Sequence, residues 1–165
     1  MKLMILSSKH FYNRIPEIKN LLENQGHKLK MPNSYDNPYK ELKHQKTLIL
    51  WFLDSQKIRI CNRNLKVMDF FRIKKLDGER HIKWKGEMMR KDEENINPQD
   101  AVLVLNFEKK GIPNYIGGAT FLEVYTAWKL NKKIFFYNPL PKCSFTDELI
   151  GINPTIINGN LNLIK

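Results

Sequence analysis

The chain has 165 residues, 42% of them hydrophobic and 27% charged, the balance of a soluble globular protein that buries its core as a single domain over 1–165. No apolar run approaches the roughly 20 residues of a membrane span, and Met1-Lys-Leu-Met-Ile-Leu-Ser-Ser is too short, and lacks the cleavage site, to be a signal peptide. Lys and Arg outnumber Asp and Glu by 28 to 17, a net charge of +11, and residues 40–91 alone carry 15 basic against 6 acidic side chains. A basic block of this kind attracts phosphates, on a nucleotide or on a nucleic acid. A solvated lysine-rich surface is the plainer explanation, and no DNA- or RNA-binding motif accompanies the block. Cys61 and Cys143 have neither metal-like spacing nor the numbers for a disulfide framework, which fits a reducing cytoplasm. His10, His27, His44 and His81 show no metal or triad spacing, so neither a metal nor a cofactor is expected.

In chain order, Leu3 to Leu6 reads as a first strand and Ser7-Ser8-Lys9 as the turn after it. Ile15, Ile18, Leu21 and Leu22 recur at helical spacing, with Pro16 tolerable only in the first turn and Gly26 closing the helix. His27 to Met31 is a short second strand stopped by Pro32, and Asn33 to Pro38 is a loop. Residues 40–80 read as a small insertion. Leu42 to Leu53 is helix or strand, Lys57 to Cys61 alternates like an edge strand, and Phe70 to Leu76 before Asp77-Gly78 resembles a strand with a tight turn.

Trp84 to Asn95 is helical, ending before Pro98. The unbroken apolar run Ala101 to Leu105 has the pattern of a parallel strand covered on both faces. A loop through Gly111 and Pro113 leads to a helix over about 119–130, opened by Ala119 or Thr120. A strand Ile134 to Tyr137, a short helix Thr146 to Ile150 and a last short strand at Thr155 follow. Strands alternating with helices argue a doubly wound α/β domain, a parallel sheet of about five strands.

Gly117-Gly118 lets a backbone come close to a ligand, and Glu123 in the following helix lies towards the carboxyl end of the sheet, where open α/β folds bind. Ser7, Ser8 and Lys9 stand where a phosphate meets helix amides, or they form only a loop and a cap. Asn106 can bond a ribose or base, or simply form a turn. Tyr115, Phe11 and Trp84 are candidates for stacking on a base, although most aromatics belong to a core.

Asp100-Ala-Val-Leu-Val-Leu-Asn106, Asn114-Tyr-Ile-Gly-Gly118, Glu123 with Ala127, Lys132-Lys-Ile134 and Asn153-Pro-Thr-Ile-Ile-Asn-Gly159 together resemble the nucleoside 2-deoxyribosyltransferase-like superfamily. The resemblance covers about 92–165 well and 1–32 loosely, and it does not extend over 40–80. It implies a flavodoxin-like sheet and N-glycosidic chemistry on a nucleoside or nucleotide, with Glu123 as nucleophile and Asp92, eight residues before Asp100, as the acid for the departing base. It also implies a homo-oligomer, for which Tyr125 and Trp128 beside Glu123 are candidate contacts. Two departures stand out. Gly117 occupies the position where the superfamily has Ser or Asp, and the helix reads Glu123-Val-Tyr-Thr-Ala127 rather than Glu-Leu-Gly-Tyr-Ala. Gly117 to Glu123 also resembles, one residue short, the phosphate-binding motif of the cytokinin-activating phosphoribohydrolases, which cleave the same bond. The competing expectation is a binding module that keeps the nucleotide pocket without turnover.

Overall fold

The computed structural model describes residues 1–33, 35, 82–83 and 85–165. The chain divides into two units, one built from Met1–Tyr35 and Met89–Lys165 and the other from Asp36–Met88. The expected insertion at 40–80, together with Trp84 and most of the basic block, lies outside the described residues.

The first unit is a five-stranded parallel sheet. Its strands are β1 (Lys2–Ser7), β2 (Lys28–Lys30), β3 (Ala101–Leu105), β4 (Lys133–Phe136) and β5 (Thr155–Ile156), in the order β2-β1-β3-β4-β5. This is the flavodoxin-like order, with its reversal between β1 and β3. Ala101 to Leu105 is buried at every residue, as the continuous apolar run requires. Register sets Ser7 of β1 beside Leu105 of β3, so both strands end at one level.

Helix α1 (Ile15–Asn24) carries Pro16 in its first turn, where its missing N–H belongs to a group without a helical partner in any case. It buries Ile15, Ile18 and Leu22 on one face of the sheet, against Leu3, Ile5, Leu103, Leu105 and Phe135. Gly26, at φ +80, turns the chain from this helix into β2. Helix α2 runs over 85–96 and α3 over Gly118–Lys129, and α4 covers Thr146–Ile152. Ile96, Val124, Ala127 and Leu149 from these three meet Met4, Leu6, Val102, Val104 and Phe136 on the opposite face. Alternate residues of each strand thus feed two cores, the pleat period at work.

The helix after β3 opens one residue earlier than expected, and by another device. Gly117 is its N-cap and Gly118 its first residue, with no side chain capping the end. Thr120 is buried within the helix on the sheet side and caps nothing. A hydroxyl cap requires an extended backbone ahead of the helix. Here that conformation falls on Gly117, at φ −93 and ψ 168. Two short 3-10 segments, Lys9–Arg14 and Leu161–Leu163, carry no periodicity that a sequence reading detects.

Candidate functional site at the carboxyl ends of the strands

Adjacent strands β1 and β3 leave the sheet in opposite directions: the chain after β1 folds onto the α1 face and the chain after β3 onto the α3 face. The crevice between two such exits is where open parallel sheets take ligands. The β1 side of it is formed by Ser7, Ser8 and Lys9. Ser7 is nearly buried and its hydroxyl donates to the Ser8 carbonyl at 3.1 Å. The Ser8 hydroxyl caps the 3-10 segment, accepting from the His10 amide at 3.4 Å, and Lys9 is exposed.

The β3 side is a compact loop. Lys110 and Gly111 both have positive φ, 52 and 78, which makes a two-residue turn of the kind that closes hairpins. Lys109 and Ile112 exchange both backbone bonds across it at 3.0 Å, and the Glu108 carboxylate accepts from the Gly111 amide at 3.2 Å. The loop closes at its base where the Tyr115 amide donates to the Phe107 carbonyl at 2.9 Å. Tyr115 then folds back over the helix end: a methyl group added at Gly117 would stand 3.3 Å from its phenolic oxygen. Glycine at 117 is what lets that hydroxyl approach the start of α3. No acidic side chain sits in the first turn of α3, so the partial positive charge of that end is not offset locally.

Glu123 is half-buried in the second turn of α3. Thr120, Val124 and Ala127 face the sheet, and Phe121 stacks on Phe145 ahead of α4, with ring centroids 4.6 Å apart. Glu123 lies about 200° round the helix from Phe121, at about 100° per residue, and so on the flank away from α4. Asp92 is on α2, half-buried, and accepts a hydrogen bond from the Asn33 side chain, whose own oxygen accepts from Asn95. Asn33 follows the carboxyl end of β2, so Asp92 too is tied to this pole of the sheet.

Asn106 has a different occupation. It is fully buried; its Nδ2 donates to the carbonyls of Asn138 at 3.1 Å and Pro139 at 2.8 Å, and its Oδ1 accepts from the Asn138 amide at 2.8 Å. The Asn138 side chain returns a bond to the Asn106 carbonyl at 3.0 Å. The amide expected to meet a ribose or base is engaged in tying the end of β3 to the end of β4.

Phe11 is buried in an edge-on contact with Phe107, at 5.6 Å between centroids, and Phe107 leans on Tyr137 at 5.0 Å. Phe11 is therefore wall rather than an open stacking platform. Two cations missing from the sequence reading join this cluster. The Arg14 guanidinium lies 4.6 Å above the Phe107 ring, and the Lys109 ammonium 4.3 Å above the Tyr115 ring. Phe107-x-Lys109 and the Lys110-Gly111 turn are the only local hint of it.

A hollow of about 440 Å3 opens at the opposite pole, lined by Trp128, Lys132, Lys133, Ile152, Asn153 and Lys165 among others. None of the expected site residues touches it. Lys132 Nζ donates to the Asn97 carbonyl at 2.7 Å and Lys133 Nζ to that of Lys165 at 3.0 Å, so two of its lysines hold backbone. The hollow lies at the amino ends of β4 and β5, whereas the strand reversal, where open parallel sheets take ligands, lies between β1 and β3 at the carboxyl pole.

Among the described residues no group of three or more His, Cys, Asp or Glu converges, and no helix is long and apolar enough to cross a membrane. No family model matches the chain, and no curated protein matches it. Among solved structures, it is similar to a 2-deoxyribosyltransferase from Bacillus psychrosaccharolyticus, 13% identical over 87% of this chain and 76% of that one, with a TM-score of 0.47.

Proposed function

We propose that the protein cleaves or transfers the N-glycosidic bond of a nucleoside or nucleotide, with Glu123 as nucleophile and Asp92 as the acid for the leaving base. The observation that carries the reading is Glu123 itself: a half-buried carboxylate in the second turn of the helix that opens at the Gly117-Gly118 turn, beside the β1–β3 reversal. The resemblance of residues 92–165 to the superfamily supports the same role.

The chemistry suits these groups. A Glu123 carboxylate oxygen attacks C1′ as the C1′–N bond breaks, and the bonding pair leaves with the base. Asp92, protonated, delivers its proton to that base, and the sugar is held as a glycosyl ester. Water or a second base then attacks C1′ and releases Glu123. Closed packing of Phe11, Phe107 and Tyr137 gives the site a rigid apolar wall.

A binding module without turnover is the second reading. It is favoured by Gly117, which offers no side-chain oxygen where related enzymes have Ser or Asp. Incubation with a panel of ribo- and deoxyribonucleosides and their 5′-monophosphates, with and without an acceptor base, separates the two. Released or exchanged base supports the enzyme; saturable binding without any base release supports the module.

A further inference from the structure

The hollow at the amino pole takes no part in the glycosidic reading, and its walls have a chemistry of their own. Asn131, after α3, and Asn153, at the end of α4, are both left-handed, with φ 53 and 52, so the chain turns sharply from each helix into β4 and β5. The hollow of about 440 Å3 lies at those turns, floored by buried Ile134 and Phe135. Two large apolar side chains stand open in its walls: Trp128 on α3, 47% exposed, and Leu163 near the carboxyl terminus, 49% exposed. Trp128 is braced by Tyr125, with ring centroids 5.9 Å apart, and the Lys129 ammonium sits over the Tyr125 ring in turn. Lys132, Lys133 and Lys165 also line the hollow, and among the described residues no Asp or Glu does. Asp100, which precedes β3, has its carboxylate engaged with the Lys2 amide at 2.6 Å. Lys132 Nζ is anchored on the Asn97 carbonyl and Lys133 Nζ on the main-chain oxygen of Lys165. An ammonium has three N–H donors, so each retains donors for a ligand. The anchoring also fixes the ends of two long side chains, which lowers the rotamer entropy lost on binding. A cleft lined by one sign of charge and by apolar walls focuses its field on the space between them.

We propose that this hollow is a second binding site, for a small aromatic carboxylate, with the ring against Trp128 and Leu163 and the carboxylate held by the lysines. Its volume falls in the range of about 300–1,000 Å3 that small-molecule sites occupy, which suits a one- or two-ring acid and not a folded partner. Burial of the ring covers apolar surface that the fold leaves open, and the ammoniums supply charge-assisted hydrogen bonds to the acid group. The proposal stands independently of the chemistry assigned to Glu123.

The test is titration by fluorine NMR with three probes: trifluoromethylbenzoate, which has ring and charge, its uncharged amide, which has the ring alone, and trifluoroacetate, which has the charge alone. An ionic strength of about 0.15 M screens attraction to the protein's net charge. Wild type is compared with Trp128→Ala, Lys165→Gln and, as a control of equal charge change, the exposed Lys142→Gln. The benzoate is expected to bind saturably and about tenfold or more tightly than either other probe, because only it engages both the apolar wall and the lysines. Trp128→Ala and Lys165→Gln each weaken it by about tenfold, and Lys142→Gln leaves it unchanged. In wild type a nuclear Overhauser contact is expected between the probe ring and the indole of Trp128, a readout that needs no variant. Equal binding of all three probes, benzoate binding that survives both Trp128→Ala and Lys165→Gln, or no saturable binding to wild type overturns the proposal.

Discussion

The two poles of the sheet are made from the same kinds of residue and differ in how the chain uses them. At the amino pole the connections are tight: Leu130 to Lys132 joins α3 to β4, and Gln25 to His27 joins α1 to β2. Its polar side chains close backbone, as Lys132 does on Asn97 and Asp100 on the Lys2 amide at 2.6 Å. At the carboxyl pole the β3–α3 connection takes twelve residues, 106–117, and carries a hairpin turn and two aromatic rings that each seat a cation. The hollow lined by Lys132 and Lys133 is at the first pole, and the proposed chemistry is assigned to the second. Empty space and chemistry are therefore separate signals, and in a parallel α/β sheet the direction of the strands decides between them.

The contrast is broken most directly at Glu123. Glu123→Gln is expected to lose about 10³-fold or more in kcat, the scale for removing a covalent nucleophile. Turnover within about tenfold of wild type removes Glu123 from the chemistry. Asp92→Asn is expected to lose about 10²-fold with natural bases and to recover with a better leaving group, the behaviour of a general acid. Loss that is the same for every leaving group makes Asp92 a structural partner of Asn33 instead.

Asn106→Ala sharpens the comparison from the side of stability. It leaves the Asn138 amide and two carbonyls without their partner, and we expect about 3 kcal/mol of destabilisation and a fall of about 10 °C in Tm. A Tm within about 2 °C of wild type would contradict its role as a tie.

At the amino pole effects are small. Lys132→Gln is expected to change kcat/KM by less than about twofold, since its charge lies away from the site; a tenfold loss would move the chemistry to that hollow. His27 has its pKa lowered by burial and then by the Met1 ammonium. The unfolded chain therefore binds its proton more readily, so stability is full above the ordinary histidine value of about 6.5 and declines as pH falls below it. His27→Gln is expected to flatten that slight acid-side decline in melting temperature between about pH 7 and 5; an unaltered slope would show that His27 does not contribute.

Much of this fold is legible in the sequence because its signals are local. Ala101 to Leu105, the Ile15-Ile18-Leu22 spacing with Pro16, and Gly26 each encode burial or backbone conformation within a few residues, and the strand-helix alternation follows from them. The expectation for Glu123 rests on the same kind of local signal, a carboxylate shortly after a double glycine. The contact of Arg14 with Phe107 is not legible: one precedes α1 and the other follows β3, and no pattern marks them. Asn106 stays open between ligand and turn in the sequence for a related reason. An asparagine ending a strand looks the same whether it faces a ligand or the neighbouring strand, and only the position of Asn138 decides. The helix start shifts to Gly118 because a glycine N-cap leaves no side-chain signature.

The central claim is covalent capture of a sugar by Glu123. A 2′-fluoro-2′-deoxyarabinosyl nucleoside and its 5′-monophosphate serve as probes, because fluorine at C2′ disfavours the oxocarbenium-like state and slows release of the glycosyl-enzyme. Intact-mass spectrometry after incubation is predicted to show one added fluorosugar, and fragmentation to map it to Glu123. An adduct on another residue, or free base released with no adduct at any time point, would contradict the account.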